Sequence, residues 1–212
     1  NHKQAKENPN ALSKKTYTIQ DVINSKKLTD DLRLLDCSRP CTGSASILLA
    51  SEEIVRKNTD RPVWITGIGQ KTTSAGFTKN TSLSSMESTK LAGQSALKMA
   101  NQTISDIDVA EVHDAFSVCE PMALESLGFV NQGEGIGMIN DLHETNNFKI
   151  NPRGGLIGTG HPLGATGISQ TIEIVQQLQQ SAEKRQTDNT EIGLIHNMSA
   201  AATSSTVLVL EK

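Results

Sequence analysis

The seventeen residues from Asn151 to Gly167, NPRGGLIGTGHPLGATG, hold six of the chain's 16 glycines, two of its six prolines and one of its five histidines. Glycine lets backbone and ligand approach closely, and Pro162 stiffens the turn that follows His161. A histidine just before a helix N-terminus lies near the positive end of the helix dipole, which favours a neutral ring that can act as a base. The alternative is a tight turn between a strand and a helix with an incidental histidine.

Short apolar runs alternate with amphipathic segments on both sides of this stretch. The alternation predicts an α/β fold in which a mixed five-stranded sheet carries helices on both faces, after a loop-rich arm over residues 1–42. The sheet is mixed because the last two runs form a hairpin around MSAAATS. The predicted strands are SILLA (46–50), PVWITGIGQ (62–70), DVAEVHDAF (108–116), EIGLIHN (191–197) and STVLVLE (205–211).

Helices are predicted where apolar residues recur at helical spacing or where capping residues stand. The segment 130–150, which is rich in glycine and asparagine, predicts a loop. The last predicted helix places Ile168, Ile172, Val175 and Leu178 on one face. The predicted helices are TIQDVINS (18–25, capped by Thr18), SEEIVRKN (51–58), SLSSMESTKLAGQSALKMAN (82–101), SVCEPMALESLGF (117–129, ended by Gly128) and ISQTIEIVQQLQQ (168–180).

Composition excludes several classes of function. A net charge of −3 with scattered lysines gives no reason to expect a nucleic-acid partner. No apolar run approaches the ~20 residues of a membrane helix and the first residues have no signal-peptide core, so we expect a cytoplasmic protein. The three cysteines, Cys37, Cys41 and Cys119, show no repeated CxxC pairing, so we expect reduced thiols and no metal. Because the chain begins without methionine, we expect it to be a fragment or one half of something larger.

The stretch 151–167 closely resembles the histidine signature of the thiolase family, above all in its sterol-carrier and archaeal acetyl-CoA acetyltransferase branches. Three other segments resemble thiolase segments in the same order: NHKQAKENPNA (1–11), LLDCSRPCTGSASILLAS (34–51) and EVHDAFSVCEPMALESLG (111–128), the last of which is similar to the family's HDCF segment. The resemblance covers the chain but only the C-terminal half of a thiolase. It implies a loop-region remnant at 1–42 and a C-terminal thiolase domain at 43–212.

The resemblance also implies catalytic roles. His161 would take the proton from the family's nucleophilic cysteine, and His113 would help to bind the thioester oxygen. That cysteine belongs to the N-terminal half of a thiolase, and none of the three cysteines here matches it. We therefore expect an N-terminal half, as a separate chain or a missing segment, to supply it.

This sequence departs from the family at both positions of the second acid/base. Ala115 stands where HDCF has its cysteine, and Asn197 stands near the cysteine of the family's late CxG motif. Cys119, one helical turn after Ala115, is one substitute, and its alternative is a buried structural thiol. His196 is the other candidate, since a histidine suits proton transfer. The candidate catalytic residues are thus His161, His113, Cys119, His196 and Asn197.

For coenzyme A, the resemblance implies contacts from Ser38, Gly160 and Gly164, with CoA thioesters as substrates and no cofactor. The implied activity is an acyl-CoA C-acetyltransferase that forms or cleaves acetoacetyl-CoA or another 3-ketoacyl-CoA by ping-pong Claisen chemistry. Alternatives are a decarboxylating condensing enzyme and a non-catalytic CoA-binding subunit; a nucleotide-binding module fits worse, because GxGxxG spacing is absent. Implied partners are the N-terminal half, further copies in a homo- or hetero-oligomer, and a small OB-fold protein.

Overall fold

The computed structural model describes residues 1–74, 82–145, 149–199 and 201–212. Eight α-helices lie within these ranges: α1 (His2–Ala5), α2 (Ile19–Asn24), α3 (Glu52–Asn58), α4 (Glu87–Ala100), α5 (Cys119–Leu127), α6 (Gly135–Thr145), α7 (Gly155–Thr159) and α8 (Thr166–Leu178). The strands are β1 (Trp64–Thr72), β2 (Val109–Glu111), β3 (Lys149–Ile150), β4 (Ile192–Ser199) and β5 (Ser204–Glu211).

The strands form one mixed sheet in the order β1-β5-β4-β2-β3. β4 and β5 form the predicted antiparallel hairpin, and β1 pairs antiparallel with β5. β2 runs parallel to both β4 and β3. Four strands have three or more residues, whereas β3 has only two. The prediction of a mixed α/β sheet is confirmed, although its fifth strand is this two-residue segment and not the predicted 46–50.

Helices cover both faces of the sheet, as predicted. Because successive side chains of a strand point to opposite faces, β5 divides its apolar residues between two core clusters. Val207 and Val209 pack with α4 and α5 on one face, while Leu210 packs with Ile174 and Leu178 of α8 on the other. This sandwich fixes the direction in which α8 approaches the ends of β2 and β4.

Helix α4 packs directly on strand β1 because two glycines remove the intervening side chains. A Cβ atom at Gly69 would lie 1.9 Å from the Ala92 oxygen, and one at Gly67 would lie 2.2 Å from the Ala96 oxygen. No larger residue fits without moving the helix. The glycines in the alternating apolar run of β1 therefore mark the positions where a helix lies directly on the strand.

Several local predictions are confirmed by cap geometry. The Thr18 side chain accepts the Asp21 N–H and Asp21 returns a bond to the Thr18 N–H, a capping box at the start of α2. Helix α5 ends at Gly128, whose φ of 93° lies in the left-handed region that favours glycine. Pro121 lies in the first turn of α5, where its missing N–H costs no helical bond.

Two predictions are wrong. Residues 46–50, predicted as a buried strand, belong to no strand of the described residues, and Leu48 is 93% exposed. The segment 130–150, predicted as a loop, contains α6. Glycine and asparagine in this segment favour a loop, but Met138, Ile139 and Leu142 stand at helical spacing and pack against the core.

The predicted apolar face of α8 is only partly its buried face: Leu178 is buried and Val175 packs against the core. Its fully buried positions include Gln170, Ile174 and Gln177, whereas Ile168 and Ile172 are only half-buried. Both glutamines have buried hydrogen-bond partners, those of Gln170 on β4 and those of Gln177 in the segment after α8, which apolar periodicity alone cannot reveal. The helix has apolar residues on two faces, and only one of them is covered by the sheet.

The arm at 1–42 contains little regular structure, as predicted, but it packs against the domain. Ala5 is fully buried against α7, where a Cβ at Gly154 would lie 2.5 Å from it. Further along, the Ser38 N–H donates to the Ala115 oxygen over 2.8 Å. The arm thus borders the segment that follows β2. The domain boundary at residue 42 stays a prediction.

Candidate active site

The ends of two parallel strands meet the glycine-rich stretch at one edge of the sheet. β2 ends at Glu111 and leads into His113, while the neighbouring β4 carries Asn197 near its own carboxyl end. Asn197 Nδ2 lies 3.1 Å from His113 Nδ1. Open α/β sheets form their binding sites at the carboxyl ends of parallel strands, so this edge is the candidate site.

His161 reaches the same edge from the loop between α7 and α8. Its ring centroid lies 5.0 Å from that of His113, with the two planes at 86°. Burial lowers the pKa of His113 to about 4, and the neighbouring His161 and Arg153 add to the shift. Burial and Arg153 lower the pKa of His161 as well. Both rings are therefore neutral at neutral pH, and a neutral ring can accept a proton or donate a hydrogen bond.

The ring of His161 is held in one tautomer by Thr166. The Thr166 hydroxyl lies 2.8 Å from His161 Nδ1 and donates to the Pro162 oxygen over 3.2 Å. A hydroxyl has one hydrogen and a carbonyl can only accept, so the hydroxyl accepts from Nδ1–H. The lone pair of His161 is then on Nε2, the atom that would take a proton. The main-chain N–H of His161 is bound to the Arg39 oxygen at 2.8 Å.

Asp114 ties the glycine-rich stretch to the end of β2. Its carboxylate accepts the N–H of Leu156 at 2.5 Å and that of Ile157 at 3.3 Å. Gly155, at φ 58°, passes so close that a Cβ there would lie 2.2 Å from Asp114 Oδ2. Burial and the nearby Glu120 raise the pKa of Asp114 well above its usual range. These contacts set where α7 begins and where the loop to His161 runs.

A buried ion pair places a positive charge near both imidazoles. Arg153 Nε lies 2.7 Å from Glu111 Oε2, and both side chains are largely inaccessible to solvent. Arg153 also donates to Ser169 of α8 over 2.9 Å, so its position is fixed by the strand and the helix together. Burial raises the pKa of Glu111 to about 7, although Arg153 opposes that shift. The Arg153 charge is one of the causes that keep both histidines neutral.

The two predicted substitutes for the missing thiol are both deeply buried. Cys119 belongs to the core cluster and is 7% exposed, and burial raises the pKa of its thiol. His196 is fully buried with Nε2 3.0 Å from the Thr89 hydroxyl of α4, on the face of β4 opposite to that of Asn197. Burial and the neighbouring His113 lower the pKa of His196 to about 3. A catalytic role for either residue stays a prediction, and the burial favours a structural role.

The predicted CoA-binding residues lie at different depths. Ser38 is half-buried beside the Ala115 carbonyl that receives its N–H. Gly160, at φ 94°, adjoins His161, and a Cβ there would lie 2.9 Å from Cys41 Sγ. Gly164 is exposed, with open space where a Cβ would stand. A role for these residues in binding CoA stays a prediction.

Three residues of the site carry no catalytic signal of their own in the sequence: Thr166, Gln170 and Asp114. Asp114 and Gln170 act through hydrogen bonds to residues far along the chain, as when Gln170 bonds to Asn197 over 2.8 Å, whereas Thr166 bonds to the nearby His161. A buried glutamine at a helix position that otherwise faces apolar neighbours is the one clue, and it becomes visible only when the burial of α8 is known. Among the described residues, no group of three or more His, Cys, Asp and Glu side chains is arranged to hold a metal ion.

In the part of the chain that the structure describes, no helix combines the length and apolarity needed to span a bilayer. Residues 69–212 match a family model described as thiolase C-terminal domain-like. The chain is 38% identical over 214 residues to an acetyl-CoA acetyltransferase of Methanothermobacter thermautotrophicus, which covers 100% of this chain and 56% of that protein. It is also 35% identical over 205 residues to sterol carrier protein 2 of Bos taurus, covering 93% of this chain and 38% of that protein.

A solved structure described as an Ltp2-ChsH2(DUF35) aldolase superposes with a TM-score of 0.84 at 22% identity, over 99% of this chain and 55% of that one. This likeness concerns the fold. The match of the family model to residues 69–212 and the histidine-bearing stretch within it lead to one conclusion. The chain belongs to the thiolase family, of which it carries the C-terminal domain.

Proposed function

We propose that this chain supplies the acid–base side of a thiolase active site. The activity would be that of an acyl-CoA C-acetyltransferase that forms or cleaves acetoacetyl-CoA or another 3-ketoacyl-CoA, with CoA thioesters as substrates and no cofactor. One observation carries the proposal: two neutral imidazoles, His113 and His161, pack edge to face at 5.0 Å where two parallel strands end. The identity to an archaeal acetyl-CoA acetyltransferase supports it.

In the proposed first half-reaction, Nε2 of His161 accepts the proton of a cysteine thiol from the N-terminal region. The thiolate then adds to the thioester carbonyl, and the oxygen that gains negative charge accepts a hydrogen bond from His113. Collapse of the adduct expels CoA as its thiolate, which takes the proton back from His161. The acyl group stays on the cysteine for the second substrate.

The N-terminal region is part of the proposal because the chain spans 56% of the acetyltransferase and 38% of the sterol carrier protein that it matches. Two surfaces of this chain suit such a region. Leu48 and Leu49 are 93% and 68% exposed in an irregular segment that has no strand partner among the described residues. Ile168 and Ile172 lie on the face of α8 turned away from the sheet. Burying these residues would stabilise the assembly.

The proposal extends to partners and location. The description of the solved neighbour joins Ltp2 with ChsH2(DUF35), so that protein is part of a two-component assembly. By analogy, we propose that the present enzyme forms a homo- or hetero-oligomer and binds a small OB-fold protein. A cytoplasmic location is proposed on the grounds of the sequence.

A decarboxylating condensing enzyme is the second candidate, because Ala115 and Asn197 stand at the two positions where thiolases carry an acid/base thiol. Ala115 has no ionisable group, and Asn197 is occupied by hydrogen bonds to His113 and Gln170. Loss of CO2 from a malonyl thioester generates the carbanion without a base. Malonyl-CoA in place of acetyl-CoA as the second substrate separates the two reactions.

The test combines this chain with the N-terminal region of a matching thiolase and follows CoA-dependent cleavage of acetoacetyl-CoA. His161→Ala should lower kcat by about 10²- to 10⁴-fold, the usual contribution of a general base. Lys184→Ala, an exposed change beyond the other end of α8, is the control and should leave kcat unchanged. Full activity of His161→Ala would refute the assignment. Binding of CoA without turnover in the unchanged enzyme would favour a non-catalytic subunit.

A further inference from the structure

A relay of side-chain amides connects helix α8 to His113. Gln170, fully buried on α8, places Nε2 3.3 Å from the main-chain oxygen of His196. Its Oε1 lies 2.8 Å from Nδ2 of Asn197. The same Asn197 nitrogen lies 3.1 Å from Nδ1 of His113. The three contacts form one continuous path from a backbone carbonyl to the imidazole.

The carbonyl of His196 sets the direction of every bond in the relay. A carbonyl oxygen can only accept, so Gln170 must turn its NH2 group towards it and its oxygen towards Asn197. Asn197 must then present its own NH2 group, because an oxygen there would face the oxygen of Gln170. This group has two hydrogens, and the second one is directed at His113. Nδ1 of His113 is therefore an acceptor.

The consequence for His113 is one defined tautomer. The ring is neutral, since burial, His161 and Arg153 lower its pKa to about 4. A neutral imidazole carries one N–H, and with Nδ1 as the acceptor the hydrogen is on Nε2. His161 is the reverse case, because Thr166 leaves the lone pair on Nε2. The two Nε2 atoms of the site thus have complementary functions, one as donor and one as acceptor.

We propose that Gln170 and Asn197 are positioning residues, which hold His113 as the Nε2–H tautomer so that it donates to the thioester oxygen. The donor role rests on the proposed function, whereas the tautomer follows from the relay and the neutral ring. Asn197 thereby has a function at a position where thiolases carry a cysteine acid/base. An amide side chain at this position cannot act as an acid or a base, but it can orient the residue that polarises the substrate.

The experiment labels the histidines of this chain with ¹⁵N and records two-bond ¹⁵N–¹H correlations, whose pattern distinguishes the Nε2–H tautomer, the Nδ1–H tautomer and imidazolium. His113→Gln identifies the signals of His113. At neutral pH the unchanged chain should show Nε2–H for His113. Asn197→Asp keeps the size of the side chain but replaces the donor by an acceptor, so His113 should move to Nδ1–H or imidazolium.

Two further variants separate positioning from folding. Gln170→Leu removes the anchor and should give a mixture of His113 tautomers. Gln176→Glu makes the same kind of amide-to-carboxylate change on α8 outside the relay, so the His113 pattern should stay as in the unchanged chain. A wild-type pattern of Nδ1–H, or an unaltered pattern in Asn197→Asp, would overturn the proposal.

Kinetics of the assembled enzyme distinguish this inference from the proposed function. Asn197→Asp should lower kcat by about tenfold or more while the KM for CoA stays within about twofold, since only the donor to the reacting oxygen is lost. An enzyme with the expected tautomers but no thiolytic activity would refute the proposed function and leave the relay standing. An Asn197→Asp enzyme whose tautomer changes while kcat does not would refute the donor role.

Discussion

The ring of His161 meets the ring of His113 edge to face, with centroids 5.0 Å apart and planes at 86°. At this distance a proton on one ring raises the free energy of protonating the other, and His161 is among the causes that lower the pKa of His113. The pair therefore holds at most one positive charge at neutral pH. In the proposed reaction His161 takes up the proton, and His113 remains a neutral hydrogen-bond donor.

The hydroxyl of Thr166 should matter for catalysis through the tautomer of His161. Thr166→Val removes the group 2.8 Å from Nδ1, so the ring is free to place its hydrogen on Nε2 and lose the base. We expect kcat to fall by about 10- to 100-fold, in line with groups that orient functional imidazoles. Thr166→Ser retains the hydroxyl and should restore most of the activity. Equal activity of the valine and serine variants would contradict the role.

The pH dependence of the assembled enzyme should follow His161. Burial and Arg153 lower its pKa below 6.5, so the neutral form of the ring predominates above that pH. We expect kcat/KM to level off with respect to this group as the pH rises above 6.5 and to fall as the solution is acidified through the lowered pKa, because the base becomes protonated. A profile of kcat/KM against pH checks this. An acid limb centred above pH 6.5 would exclude His161 as the base in this environment.

Acid should destabilise the fold through its buried histidines. The pKa of His196 is about 3 in the folded chain and 6.5 when exposed, so the unfolded state takes up the proton first. The contribution of the neutral His196 to the free energy of unfolding is fully present above pH 6.5. It is lost as the pH drops from there towards the folded pKa, by up to roughly 1.4 kcal/mol per pH unit for each such group. Urea unfolding at several pH values measures this slope. His196→Gln, which cannot titrate, should have a smaller slope than the unchanged chain.

The sequence is sufficient for much of the fold and for the two histidines, because those features have local signals. Gly128 ends α5 through its own backbone, and the cap at Thr18 lies within four residues. The relay from Gln170 to His113 is different, since its members come from a helix and from the ends of two strands that lie far apart in sequence. Hydrogen bonds of this kind follow from tertiary packing, and residue patterns do not encode them.

The segment 46–50 illustrates a second limit. Its apolar β-branched and leucine residues fit a buried strand, yet a strand needs a neighbour to accept its backbone hydrogen bonds. No neighbour for it is present among the described residues, and Leu48 stays 93% exposed. The apolar pattern therefore indicates that the segment is suited to burial. In the structure of this chain alone it is not buried.

Gly155 should be intolerant of any side chain. It has φ 58°, and a Cβ would lie 2.2 Å from Asp114 Oδ2, so Gly155→Ala must displace the carboxylate that holds the N–H of Leu156. We expect the free energy of unfolding to fall by about 2–4 kcal/mol. Gly137→Ala is the matched control, because that glycine lies in α6 with open space at Cβ and should gain about 0.5–1 kcal/mol. Similar effects of the two changes in urea unfolding would contradict this account.

Leu48 should bind the N-terminal region and contribute little to this chain by itself. Since it is 93% exposed, Leu48→Asp should leave the free energy of unfolding of the isolated chain within about 0.5 kcal/mol of its original value. If the N-terminal region buries it, the same change should weaken association by about tenfold or more, because a charge would be moved out of water. Calorimetric titration of the two parts measures the affinity, with Lys184→Asp as an exposed control. Unaltered affinity would exclude Leu48 from the interface.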